Sequence, residues 1–150
     1  KHPNKRLHIV GSHTPDKDFF EDKIKSDKII YYGHVDHLKL NKIINESHVF
    51  VLPSIEEGFA TVILQAIAAG CPVIVSENTG ASEFVENNNC GYSVPVRESG
   101  AITDKLEILA ENKNLLNIFS NNAAKCITEN TWSNYVDKLD ELIIDYKQNK

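Results

Sequence analysis

Short apolar runs alternate along this chain with stretches of helical periodicity, and this alternation constrains the fold more than any other feature. The runs are rich in β-branched residues and are continuous, as expected for strands that are covered on both faces. They lie at residues 7–11, 29–33, 49–52, 73–75 and 91–94. Strand–helix–strand alternation with short connections predicts an α/β fold, a Rossmann-like parallel sheet with helices on both faces.

Helical patterns occupy segments between the runs and the part of the chain after Pro95. Asp36 is placed to cap one helix. Residues 61–69 form a dense apolar helix, which Gly70 ends and Pro72 cannot continue. The predicted later helices are residues 101–112, 114–129 and 132–147, the last with Thr131 as its N-cap.

Length and composition indicate one folded domain. A chain of 150 residues can bury a single sizeable core, and its 41% apolar and 25% charged residues are close to the average for globular proteins. The formal net charge of -5 argues against nucleic-acid binding, which needs a basic surface to neutralise phosphates. A small anionic ligand is still compatible with this charge, because a helix N-terminus can hold a phosphate without net positive charge.

The cysteines and histidines do not form the pattern of a metal site. Cys71, Cys90 and Cys126 are widely spaced and contain no CxxC pair, so we expect reduced thiols rather than a disulfide framework or a zinc site. His34 and His37 have no further Cys or His ligand at helical spacing. We therefore expect a protein without a bound metal or cofactor.

The sequence contains no signal peptide and no apolar run of the roughly 18 residues that a membrane-spanning helix needs. We therefore expect a cytoplasmic protein, in which other parts of the polypeptide make any peripheral contact with the inner face of a membrane. The chain opens with Lys1 rather than Met, so we also expect it to be a fragment of a longer protein.

The most informative segment is residues 52–66, where a buried strand ends, a loop follows and an apolar helix begins. In open parallel sheets, ligands bind outside the carboxyl ends of the strands. Gly58 allows a ligand to approach the backbone closely, or adopts a dihedral that other residues avoid. The amides of Phe59, Ala60 and Thr61 would then point out of the helix N-terminus and form an anion site.

Two polar side chains accompany these amides. A carboxylate at Glu57 repels a phosphate unless it has a separate task, such as accepting hydrogen bonds from sugar hydroxyls. Gln65 lies eight residues later, and its amide could hydrogen-bond a diol. In the alternative interpretation Glu57 is a helix-capping carboxylate favoured by the macrodipole, and Gln65 is an ordinary helix residue. Residue chemistry alone leaves both interpretations open.

The informative segment continues beyond Ala66, since the run from Glu57-Gly58-Phe59 through Gln65-Ala66 is followed by Ala69-Gly70-Cys71-Pro72-Val73-Ile74. Four other segments, in collinear order, complete a recognisable pattern. They are Leu7-His8-Ile9-Val10-Gly11, Gly33-His34-Val35, Thr79-Gly80-Ala81-Ser82-Glu83-Phe84-Val85 and a last helix opening with Thr131-Trp132. This set resembles glycosyltransferase family four, which includes glycogen synthase-like and bacterial mannosyl- and glucosyltransferases. The resemblance implies the C-terminal, donor-binding half of a retaining enzyme with the GT-B fold.

The resemblance also implies roles for individual residues in binding a nucleoside-diphosphate hexose, UDP- or GDP-linked, without a metal. Glu57 is the catalytic residue and contacts hydroxyls of the donor sugar, while the amides of residues 59–60 hold the distal phosphate. Gln65 occupies the position that binds the ribose, and the turn at His34 and Val35 lies against the base. The remaining predicted donor-binding residues are Gly11, Ser54, Gly58, Thr61 and Glu83.

Two residues depart from the family's pattern. Gln65 replaces the second acid of the family's E-x7-E pattern, which should weaken ribose binding by about 1 kcal/mol, the gap between a charged and a neutral hydrogen bond. Ala60 replaces the usual glycine. We expect this chain to lack two parts that the resemblance implies: an upstream strand–helix unit with a Gly-Arg pair and a lysine, and the acceptor domain. We therefore expect the fragment to bind a donor and to be inactive alone.

Other functions remain as alternatives. A non-catalytic nucleotide-sugar-binding or structural module would keep the fold and lose turnover, and Gln65 is the observation that motivates it. A sugar-nucleotide epimerase would need acid–base residues positioned to remove a carbon-bound proton, and Glu57, Glu83 and His34 form no obvious pair. A receiver-like signalling domain would need acidic residues where Gly11 and Ser54 stand, which disfavours it.

Overall fold

The computed structural model describes residues 5–12, 26–129 and 132–148. The chain divides into two compact units, Lys1–Glu46 and Ser47–Lys150. Its assignment as one donor-binding domain lacking a strand–helix unit stays a prediction. Thr131, predicted as a helix cap, lies outside the described residues.

The first unit contains two short parallel strands, β1 (Leu7–Ile9) and β2 (Ile29–Tyr31). Leu7 pairs with Ile29 and Ile9 with Tyr31. Just beyond the strand ends, the N–H of Gly11 donates to the carbonyl of Gly33 at 2.9 Å, so the two chain segments stay together after the sheet ends. Both strands are shorter than the apolar runs that predicted them.

Helix α1 (His37–Asn45) follows β2 in the same unit. The Asp36 carboxylate accepts a hydrogen bond from the Lys39 amide at 2.8 Å, which satisfies one of the free N–H groups of the first turn. The predicted cap is therefore confirmed. Ile43 and Ile44 are buried, as the helical spacing of apolar residues requires.

The second unit is built on a three-stranded parallel sheet in the order β3 (Phe50–Leu52), β4 (Val73–Ser76) and β5 (Gly91–Val94). All four residues of the central strand β4 are buried. Ile74 faces one side of the sheet, and because side chains alternate along a strand, Val73 and Val75 face the other. Both sides of β4 are therefore covered, as its continuous apolar run predicts.

Two long helices, α4 (Ser99–Glu111) and α5 (Lys113–Glu129), cover the side of the sheet that Ile74 faces. Leu109 from α4 and Phe119 from α5 join Ile74 and Val94 in one buried cluster. The ring of Tyr92 meets that of Phe119 edge-on, with centroids 5.1 Å apart, a favoured geometry for aromatic pairs.

Helix α2 (Thr61–Ala68) joins β3 to β4 and ends in a Schellman motif. The N–H of Gly70 donates to the carbonyl of Ile67, and that of Cys71 to the carbonyl of Ala66, both at 2.9 Å. This ending needs a positive dihedral, and Gly70 supplies it with a φ of 69°. The predicted stop at Gly70 is thus confirmed.

A short helix, α3 (Ser82–Asn87), is not among the helices predicted from the sequence. Its six residues are too few to show a helical repeat of apolar positions, and only Val85 is buried. The last helix, α6 (Trp132–Gln148), agrees with the prediction. None of the described helices is both long enough and apolar enough to cross a bilayer.

All three cysteines are free and buried in the second unit. Burial raises the pKa of the Cys71 thiol from 9.0 to about 12. It also raises the pKa of Cys90 to about 12, with a smaller contribution from the neighbouring Cys126. These thiols therefore stay protonated at neutral pH and pack as small apolar side chains.

Candidate functional site

The loops that follow β3 and β4 run side by side beyond the carboxyl edge of the sheet. Glu57 and Thr79 form an isolated parallel bridge between them. The Glu57 amide donates to the Asn78 carbonyl at 3.3 Å, and the Gly80 amide donates to the Glu57 carbonyl at 3.1 Å. Glu57 therefore stands, solvent-exposed, at the edge where ligands bind in parallel sheets.

Thr79 fixes the second of these loops to the sheet. Its side chain is only 4% exposed, and its hydroxyl donates to the carbonyl of Ser76, the last residue of β4, at 2.8 Å. Its carbonyl accepts from the Ser82 amide at 3.1 Å, where α3 begins. The loop after β4 is thus a firm support for the loop that carries Glu57.

Gly58 and Gly80 face each other across this pair of loops, and a Cβ on Gly80 would lie 3.2 Å from the carbonyl carbon of Gly58. Gly58 does not have a left-handed φ, and a Cβ built on it would meet nothing within 4 Å. The sequence offers two reasons for a glycine at position 58, and the prediction of an unusual backbone dihedral is therefore wrong. The other reason is open space beside the backbone, which a closely approaching ligand would use.

The start of α2 carries amides that the protein itself leaves open. Ala60 is the N-cap residue and no side chain caps it by a hydrogen bond. No described residue accepts a hydrogen bond from the amides of Phe59, Ala60 or Thr61. The alternative in which Glu57 caps this helix by hydrogen bonding is therefore wrong. This helix start differs from that of α1, where Asp36 occupies the cap.

Gln65 lies on α2, four residues beyond Thr61 and so on the same face as the first residue of the helix. Its side chain is half-buried. Ser54, directly after β3, is also half-buried, and Glu83 is exposed in the first turn of α3. Of these residues, Ser54 lies at the start of the Glu57 loop, Gln65 in the middle of α2 and Glu83 on α3. Their contacts with a donor stay predictions.

Aromatic contact joins the start of α2 to α3. The rings of Phe59 and Phe84 meet edge-on with centroids 5.7 Å apart. Phe59 is still 44% exposed, and Ile55 in the same loop is 56% exposed. The loop that carries the open amides therefore also has exposed apolar side chains, which the sequence does not reveal because single apolar loop residues show no periodicity.

The other predicted site residues belong to the first unit. Gly11 and Gly33 both have positive φ, 130° and 64°, at the paired ends of β1 and β2. His34 is exposed and Val35 half-buried in the turn that follows. The assignment of this turn to the nucleotide base stays a prediction.

Sequence reasoning missed one contact in this unit. The Tyr31 hydroxyl donates to the Gly11 carbonyl at 2.9 Å and so ties the end of β1 to β2. A tyrosine at the end of an apolar run is typical of a core residue, so its sequence context does not predict this role.

Comparison with known proteins identifies relatives for most of the chain. The sequence model of the family "Glycosyl transferases group 1" matches residues 1–126. Glycogen synthase from Mycobacterium tuberculosis is 34% identical over 101 residues, which are 65% of this chain and 24% of that protein. UDP-Gal:alpha-D-GlcNAc-diphosphoundecaprenol alpha-1,3-galactosyltransferase from Escherichia coli is 35% identical over 109 residues, 72% of this chain and 28% of that protein.

A solved structure supports the same relationship. The C-terminal domain of a glycosyl transferase group 1 family protein from Francisella tularensis superposes with a TM-score of 0.76 at 28% identity, covering 85% of this chain and 70% of that one. The α/β fold with parallel strands and the resemblance found in the motifs are therefore confirmed. The chain spans only 24% and 28% of the length of the two curated relatives named above.

Proposed function

This chain belongs to the glycosyl transferases group 1 family, and from that premise we propose that it is the donor-binding part of a retaining glycosyltransferase. The donor is a nucleoside-diphosphate hexose, and the acceptor is a carbohydrate or a lipid-linked sugar. One observation carries the proposal: the loop after β3 presents open backbone amides beside an exposed acid, Glu57, at the carboxyl edge of the sheet.

The chemistry of this loop suits a leaving diphosphate. In transfer from such a donor, negative charge accumulates on the diphosphate as the bond to the sugar breaks. Preoriented N–H groups stabilise developing charge without a metal, and removing one such donor in other enzymes costs about 100- to 1,000-fold in rate. The amides of Phe59, Ala60 and Thr61 take this role, and Gly58 lets the diphosphate approach them.

Glu57 has the complementary task. A carboxylate next to the diphosphate accepts hydrogen bonds from hydroxyls of the hexose and so orients the sugar for transfer. Gln65 holds the ribose with its amide in place of an acid. Ser54 and Glu83 are the remaining polar groups proposed for the donor side of this unit.

The relative from E. coli suggests the kind of donor and acceptor. Its name states a UDP-linked galactose as donor and a sugar on diphosphoundecaprenol as acceptor. We extend this to the present chain as a proposal of a UDP-hexose donor and a lipid-linked acceptor. Such an acceptor would bring the natural full-length protein to the inner face of a membrane as a peripheral protein.

Calorimetry on the natural full-length protein tests donor binding. UDP, GDP and ADP are titrated separately, and we expect UDP to bind best. Failure of all three to bind would instead support a non-catalytic module with the same fold, the second candidate, which Gln65 favours because it lacks the acid's charge.

A transfer assay tests the role of Glu57. The Glu57→Ala variant should lose about 100-fold or more in transfer rate while its far-UV circular dichroism and melting temperature stay unchanged. Glu56→Ala removes the neighbouring exposed acid and is the matched control, with transfer expected at the wild-type rate. Equal rates for both variants and the wild type would remove Glu57 from the mechanism.

A further inference from the structure

We propose that Gly80 is a positioning residue for the donor site, because its N–H group orients the amides of Gly58 and Phe59 toward the diphosphate. Gly80 does not contact the donor in this proposal. It acts through the loop after β3, and the proposal rests on the donor-binding function proposed above.

The first observation is a hydrogen bond shared between two acceptors. The Gly80 amide donates to the carbonyls of both Glu57 and Gly58, each at 3.1 Å. Two consecutive peptide groups are therefore held by a single donor. The Glu57 amide is also occupied, by the Asn78 carbonyl at 3.3 Å, so the first open amide of the loop is that of Gly58.

The geometry of the peptide group explains how the Gly80 hydrogen bond orients the neighbouring N–H groups. A trans peptide is planar, and its C=O and N–H point in opposite directions. Because the carbonyls of Glu57 and Gly58 turn toward Gly80, the N–H groups of the same two peptides, those of Gly58 and Phe59, turn away from it. No described residue accepts from either amide. Successive N–H groups directed to one side form the kind of concavity that binds anions.

The second observation is the close approach that only glycine allows. A Cβ on Gly80 would lie 3.2 Å from the carbonyl carbon of Gly58 and 3.4 Å from the amide nitrogen of Phe59. Such contacts require the neighbour to move by a few tenths of an ångström. The neighbour is the Gly58–Phe59 peptide itself. A Cβ on Gly58 would meet nothing within 4 Å, so this part of the loop has room to move and we expect the peptide to tilt.

Gly80 is well placed to impose this orientation because its own loop is rigidly supported. Thr79 is buried and bound to the end of β4, and Ser82 bonds back to Thr79 at the start of α3. The edge-on contact of Phe84 with Phe59 holds the other end of the tilting segment. A methyl group at position 80 would therefore displace the open amides rather than the frame that carries Gly80.

Comparison of UDP with UMP isolates this effect, because only UDP carries the distal phosphate that the amides are proposed to hold. Kd values for both are measured by calorimetry on the natural full-length protein, with Gly80→Ala and the bulkier Gly80→Val. We expect the preference for UDP over UMP to fall about tenfold in Gly80→Ala, equivalent to about 1.4 kcal/mol, and further in Gly80→Val. Gly100→Ala, whose Cβ meets nothing within 4 Å, is the matched control and should keep the wild-type preference.

The outcomes separate this inference from the function on which it rests. If the wild type prefers UDP and Gly80→Ala keeps that preference within twofold, the positioning role is refuted and the proposed function stands. If the wild type binds neither nucleotide, or both equally, the proposed function and this inference fail together. A general loss of folding would weaken the binding of both nucleotides alike and leave the ratio of their Kd values unchanged. An unchanged ratio would also count against the positioning role.

Hydrogen exchange in the wild-type protein gives a test that does not depend on a variant folding. In the absence of nucleotide, we expect the Gly80 amide to be protected and the amides of Gly58 and Phe59 to exchange rapidly. UDP should then slow exchange at Gly58 and Phe59. Rapid exchange of the Gly80 amide in the free protein would show that the shared hydrogen bond does not form, and it would overturn the proposal.

Discussion

Replacing Gly58 by alanine separates binding from stability more cleanly than other changes in this loop. The new Cβ would meet no atom of the protein within 4 Å, and the backbone there is not left-handed. We therefore expect the free energy of unfolding to change by less than about 0.5 kcal/mol, or to rise by up to about 1 kcal/mol because alanine restricts the unfolded chain.

The effect of Gly58→Ala on donor binding should be large. The methyl group would enter the open space through which a diphosphate reaches the amides of Gly58 and Phe59. A hydrogen bond to a charged group is worth about 1.5–3 kcal/mol. Loss of one such bond weakens UDP binding by about 10- to 100-fold, since about 1.4 kcal/mol is a factor of ten.

Calorimetry with UDP and urea unfolding, both on the same preparation, check this prediction, with Gly100→Ala as control. Wild-type affinity in Gly58→Ala would show that the backbone at this position does not contact the donor. A loss of more than about 2 kcal/mol in stability would show instead that the fold requires glycine there.

Three further predictions concern separate parts of the second unit. Gly91→Ala should lower the free energy of unfolding by about 3 kcal/mol or more, because its Cβ would collide with the Val73 carbonyl oxygen; a wild-type midpoint in urea would refute the β4–β5 packing. Because the pKa values of Cys71 and Cys90 are about 12 in the folded state and 9.0 for a thiol exposed to water, the unfolded state loses protons first as pH rises. Stability should therefore fall between about pH 9 and pH 12, by about 1.4 kcal/mol per thiol at pH 10, and less steeply in a Cys71→Ala/Cys90→Ala variant; equal slopes would contradict the burial of these thiols. Gln65→Glu should tighten UDP binding by about fivefold, the effect of about 1 kcal/mol, and unchanged or weaker binding would show that position 65 does not face the ribose.

The N-termini of α1 and α2 differ in their capping, and this difference supports a ligand-binding role for the start of α2. Helix α1 has a side-chain cap, Asp36, whereas α2 has Ala60 at the same position and no capping hydrogen bond. An uncapped helix start forgoes about 1 kcal/mol of stability. Local rules of helix design would place a Ser, Thr or Asp there, so the departure from them agrees with a position reserved for a ligand.

Much of the fold could be predicted from the sequence because its determinants are local. The continuous apolar run at residues 73–75 predicted a strand covered on both sides, and β4 is completely buried. Single residues predict the Asp36 cap and the end of α2 at Gly70, because each acts within one helical turn. Asp36 accepts a hydrogen bond from a free N–H group, and Gly70 takes the positive φ that ends the helix. The short helix α3 was missed, because six residues carry too little periodicity to be recognised.

The candidate site divides in the same way. The motif from Glu57 to Gln65 identified the loop and the family from the sequence alone, because a glycine, an acid and a helix start are adjacent along the chain. Only the tertiary structure showed that Gly80, 22 residues beyond Gly58 in the sequence, binds the carbonyls of that loop and directs its amides outward. Backbone hydrogen bonds between distant segments do not depend on the type of side chain, so the sequence does not show which residues they join. Strand order and loop packing determine these partners.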